Sequence, residues 1–159
     1  MKYMLLFLLS TSIIAACNNN VQPVQKNTTV AEDSVRATMQ LIAKDVSANG
    51  PVAWLNWFEN TPAFFMSSDG SVAFKDYSAA EHFIKDTLTK AIKNIQLQWS
   101  NVRVDILADS VAAVGADFHE DMTTADGKTV PEDGYFTAVA EKTAKSWLLR
   151  NLHWSTKHQ

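Results

Sequence analysis

From residue 95 onward the apolar residues alternate with a period of two, through runs at 96–106, 111–122, 130–142 and 147–156. Side chains two apart share a sheet face, so each run can turn one row of side chains inward and the other outward. The runs are joined only by Ala108 and Asp109, by Asp126 and Gly127, and by Thr143, Ala144 and Lys145. Links this short cannot carry a crossover, so consecutive strands must lie antiparallel. The chain before them reads as mostly helical. Helices followed by a meander define an α+β fold, with the helices packed on one face of a curved sheet.

The helical part carries its own punctuation. Thr29 and Glu32 have capping-box spacing, which predicts a first helix starting near Thr29. Val35, Met39, Ile42 and Val46 form its buried stripe, and Gly50 with Pro51 ends it. Pro51 also suits the opening of a short second helix over 52–60, with Trp54, Trp57 and Phe58 on one face. Two short strands, 63–66 and 71–74, flank a turn at Asp69 and Gly70. A third helix follows, capped by Ser78 with Glu81, and buries Phe83 or Ile84 together with Leu88, Ala91 and Ile92.

The order helix, helix, short hairpin, helix, long meander resembles the SnoaL-like, nuclear transport factor 2-like superfamily. The closing stretch Trp147, Leu148, Leu149, Arg150, Asn151, Leu152, His153, Trp154, Ser155 is similar to the final strand of SnoaL-like and kinase-association members. Ser68, Asp69 and Gly70 before the third helix also fit. The resemblance spans about residues 31–158. It implies a cone-shaped α+β barrel, with three N-terminal helices on a curved, mostly antiparallel sheet. Members include ketosteroid isomerases, scytalone dehydratase, polyketide cyclases and the association domain of calcium/calmodulin-dependent kinases, so the resemblance implies a fold more firmly than an activity.

The resemblance also implies a conical pocket. Trp54, Trp57, Phe58, Phe64 and Met66 are expected at its wall or mouth, with Tyr135 and His153 on the sheet side; the same aromatics also read as plain core. Asp117 and His119 share one face of their strand, while Glu120 shares the other with Ala116 and Phe118. Beside a hairpin tip, Glu120 reads as solvated, as do Asp105 and Asp117. On the last strand Trp147, Leu149, Asn151, His153 and Ser155 alternate with Leu148, Arg150, Leu152 and Trp154. Parity alone leaves open which row lines the pocket, and similarity to the family's closing strand favours the His153 side. With that row inward, Asp117, His119 and His153 become candidate proton carriers, alongside Tyr135. Arg150, set between leucines, requires a carboxylate partner or a ligand anion.

Three functions follow as alternatives. The first is binding of a small apolar or weakly polar ligand. The second is isomerase or dehydratase chemistry on Asp117, His119 and His153. The third is an oligomerising module, with a homodimer surface at Leu148, Leu152 and Trp154. No Cys and His spacing marks a metal site, no cofactor motif is present, and no cluster of Lys and Arg points to nucleic acid.

The N-terminus supplies an address. Lys2 precedes a short apolar stretch, and the single cysteine, Cys17, follows Ile14, Ala15 and Ala16. This is the layout of a bacterial lipoprotein signal, and the stretch is shorter than the roughly 20 residues that span a bilayer. Residues 1–16 then form the signal peptide, 17–28 a polar tether with Cys17 as the lipidation site, and 29–159 the domain. The membrane, reached through lipidated Cys17, is one expected partner. The expected location is the cell envelope, at the outer membrane facing the periplasm.

Overall fold

A computed structural model describes residues 25–157, with side chains from residue 28. Cys17 and the proposed signal lie outside the described residues. Among those described, no helix is long and apolar enough to cross a membrane.

Helix α1 spans Gln25–Asn49. It starts four residues before the expected cap, so Thr29 lies inside it and 25–28 belong to the helix rather than to the tether. The expected stripe is its buried face: Val35, Met39, Ile42 and Val46 are all at most 1% exposed. Gly50 stops the helix with φ 73°, its N–H still donating to Val46 O at 2.8 Å. Pro51 then opens a 3₁₀ turn, Pro51–Asn56, in place of the expected α-helix.

Strands β1 (Met66–Ser68) and β2 (Ser71–Phe74) form a hairpin. Asp69 and Gly70 turn it with φ 46° and 85°, both positive as a two-residue type I′ turn requires. Helix α2, Tyr77–Phe83, is capped by Asp76, which accepts from Ala79 N–H at 2.8 Å, rather than by Ser78. It continues through a π-turn, Ile84–Leu88, into a last helical turn α3, Thr89–Ala91. Ala80 and Ile84 face the core, whereas Phe83 and Ala91 are exposed.

The meander is β3 (Ile92–Ala108), β4 (Val111–Thr124), β5 (Thr129–Lys142) and β6 (Trp147–Thr156). The sheet order is β2-β1-β6-β5-β4-β3, antiparallel except where β1 docks parallel to β6. Helix α1 crosses the inner face. Ser47 Oγ accepts from Leu97 N–H on β3 at 3.0 Å, and Trp147 Nε1 on β6 donates to Ser34 Oγ at 3.2 Å.

Two β-bulges decide which side chains enter the interior. On β3 the register shifts between Ser100 and Arg103, with Asn101 at φ 50°. Trp99 faces in before the bulge and Val102 and Val104 after it, and Arg36 of α1 donates to Val102 O there. On β6 the shift comes at Asn151, φ 51°, where Arg150 pairs with Val139 but His153 pairs with Thr137. One extra residue reverses the alternation. Trp147 and Leu149 face in before this bulge; Leu152 and Trp154 face in after it.

Candidate functional site

An apolar cavity of about 290 Å³ opens where the hairpin β1–β2 and the α2 π-turn meet the inner sheet face. The 3₁₀ turn supplies Trp54, and Phe58 follows just beyond it, bridged to Leu149 of β6; the two rings stack at 5.7 Å and 25°. Trp154, turned inward by the Asn151 bulge, meets Trp54 at 90° with centroids 5.7 Å apart, so the two rings form a corner. Phe118 lies against Trp154 at 4.2 Å. Gly134 makes that contact possible: a Cβ there would collide with the Phe118 ring and with the Ser155 carbonyl.

Into this apolar lining points one carboxyl, that of Glu120. It is 5% exposed and forms no hydrogen bond with the described residues. Burial pushes its pKa from an ordinary 4.5 to about 8. Glu132, directly opposite on β5, adds to the rise, and His119 opposes it. Glu132 is itself raised, first by burial and then by Asp69. At pH 7 Glu120 is therefore mostly neutral, able to donate one hydrogen bond and accept others. Ser68 is the only other lining residue with a hydroxyl, carboxyl or amide, and its Oγ donates to Asp69 Oδ2 at 3.1 Å.

The structure divides the expected site residues between two faces. Trp54, Phe58 and Met66 line the cavity. Phe64 is wholly buried beside it, 5.1 Å from Phe58. Trp57 is turned away: its Nε1 donates to Asp45 Oδ2 at 2.8 Å. Burial acts to raise the Asp45 carboxyl, but bonds from Asn56, Asn49 and Trp57 together hold it below its usual range.

The expected proton-transfer set lies on the outer sheet face, away from the cavity. Inward positions on β4 and β5 are even-numbered, which places Asp117, His119 and Tyr135 outside. His119 Nδ1 meets Asp133 at 2.9 Å and Nε2 meets Asp121 at 3.6 Å, and the Asp133 bond raises its pKa. Asp117 accepts from Asn101 at 2.8 Å. Tyr135 packs over Gly115, 43% exposed. His153 also faces out, because the bulge exchanges the two rows of β6. The same exchange corrects the expected dimer surface, since Leu152 is 1% exposed and Trp154 lines the cavity. Arg150 finds its partners within the chain, Glu141 at 2.9 Å and Glu59 at 3.8 Å.

Glu120 is the residue that reading the sequence missed, and a signal for it existed. Ala112, Val114, Ala116, Phe118, Glu120 and Met122 form one alternate row, apolar but for the glutamate. A lone carboxylate in such a row is either wrongly placed or functional.

The SnoaL-like domain profile matches residues 35–158, and the chain belongs to this family. Solved structures share the fold at low identity. A provisional scytalone dehydratase from Novosphingobium aromaticivorans is 13% identical, with a TM-score of 0.70 over 83% of this chain and 87% of its own. A nuclear transport factor 2-like protein from Salmonella enterica serovar Typhimurium is 17% identical, TM-score 0.69, over 83% and 94%. A hexachlorocyclohexane dehydrochlorinase from Novosphingobium barchaimii is 10% identical, TM-score 0.60, over 83% and 90%. Among curated proteins, none matches this sequence.

Proposed function

We propose that this SnoaL-like domain binds a small, largely apolar molecule in its cone cavity and holds the one polar group of that molecule against Glu120. The observation that carries the reading is a nearly buried carboxyl without a hydrogen-bond partner in an otherwise apolar, aromatic-walled cavity. Proton transfer is the weaker reading, because the lining offers Glu120 no second acid or base and the histidines face outward. We also propose, from Cys17 and the stretch before it, that the domain is exported and lipid-tethered at the outer membrane facing the periplasm.

The neutral dye N-phenyl-1-naphthylamine tests the cavity, with Trp54 and Trp154 as internal reporters. Saturable binding at one site, lost in Ala73→Trp at the cavity rim, is the expected result. Absence of saturable binding, or binding that Ala73→Trp leaves untouched, contradicts the reading.

A further inference from the structure

The cavity lacks one kind of charge. None of its lining residues is basic, and the helix side contributes only apolar and aromatic groups such as Trp54, Phe83, Ile84 and Leu88. The sheet side contributes Glu120, with Glu132 directly across from it and Asp69 of the hairpin tip acting on Glu132. The one nearby group that favours ionised Glu120 is His119, on the opposite sheet face. Trp54 and Trp154, packed edge to face, both line the cavity with Glu120, and indole rings attract cations. A neutral ligand would answer the hydrogen bonding of Glu120 but would leave its carboxyl without a basic partner in the cavity.

We propose that the ligand is a lipophilic organic cation, an ammonium head on an apolar body, with its head between the Glu120 carboxylate and the Trp54–Trp154 corner. The proposal rests on the ligand-binding reading above and narrows it to one chemical class. An ammonium has donors and no acceptor, so it binds ionised Glu120, and the Glu120 proton passes to solvent as the cation enters. An alkylammonium keeps its charge to about pH 10. Binding should therefore tighten as the pH rises and Glu120 ionises. A neutral molecule accepting a hydrogen bond from protonated Glu120 should show the opposite slope.

Three isosteric probes separate these cases: 4-phenylbutylamine, 4-phenylbutanol and 4-phenylbutyrate, titrated calorimetrically at pH 7 and pH 9. With Glu120 titrating at about 8, its ionised fraction rises roughly tenfold over that interval. The amine should gain about tenfold in affinity, exceed the alcohol by about tenfold at pH 9, and release close to one proton per site at pH 7. Glu120→Gln should erase the preference for the amine over the alcohol. The wild-type pH slope stands as a test even if that variant folds poorly. An amine affinity that is flat or falls with pH, an alcohol that binds as well, or a preference that survives Glu120→Gln overturns the proposal. If the naphthylamine dye binds while all three probes fail, the cation class is wrong and the broader reading stands. If the dye fails too, both fall.

Discussion

Replacing Glu120 by glutamine should make the protein more stable at neutral pH, and the size of the gain can be worked out. The folded carboxyl holds its proton to about pH 8, whereas an unfolded chain releases it near 4.5. Between those values the folded state binds the extra proton, so stability falls with rising pH by about 1.4 kcal/mol per unit. The contribution of the neutral carboxyl is fully present below pH 4.5 and is lost as pH rises toward 8. At pH 7 the loss is about 3 kcal/mol. Glutamine is isosteric, stays neutral and escapes this loss. Guanidinium unfolding of both proteins at pH 4.5, 6, 7 and 8 should give near-equal stabilities at pH 4.5, then a gap opening to about 3 kcal/mol at pH 7 in favour of Glu120→Gln. A variant that is equally or less stable at pH 7 would mean that Glu120 is ionised and partnered when folded, and the account of the cavity would fail.

Other expectations follow from the same geometry. Gly134→Ala should destabilise by about 3 kcal/mol, or leave the protein insoluble, because its Cβ meets a backbone carbonyl as well as the Phe118 ring; chemical denaturation reads this. Asn151→Val forces a β-branched residue to φ 51° and should cost about 1–3 kcal/mol, while Asn151→Gly should stay within about 1 kcal/mol of wild type. Trp57→Phe removes the bond to Asp45 and should cost about 1 kcal/mol with dye affinity unchanged, since Trp57 lies off the cavity. His119→Ala and His153→Ala, both on the outer face, should leave dye affinity within about twofold of wild type; a larger loss in either would place that histidine in the site.

Much of this fold is legible in the sequence because its signals are local and repeated. The period-two runs, the Asp69 and Gly70 turn, the Val35 to Val46 stripe and the Gly50 and Pro51 break each mark an element without tertiary information. The site was less legible, for two physical reasons. A β-bulge reverses face assignment beyond it, and both bulges sit at asparagines, residues that tolerate positive φ. Counting parity straight through Asn151 groups His153 with Trp147 and Leu149, and the resemblance to the family's closing strand turns that row inward, leaving Leu152 and Trp154 on the surface; the extra residue exchanges them. Proximity to a hairpin tip made Glu120 look solvated, although its own row predicts burial. The β1–β2 hairpin and the α2 π-turn close over that end of β4, a long-range contact that no local pattern encodes. Trp57 departs for a related reason: the helix expected over 52–60 ends at Asn56 as a 3₁₀ turn, and an Asp45 acceptor on α1 captures the indole.

The central claim is that the cavity is a ligand site. Native mass spectrometry of the protein purified from its own host addresses it most directly. The account predicts one small molecule per chain, retained in gentle ionisation, absent from Ala73→Trp and, where it is a cation, reduced in Glu120→Gln. A wild-type protein that is consistently empty, or an adduct carried equally by Ala73→Trp, would contradict it.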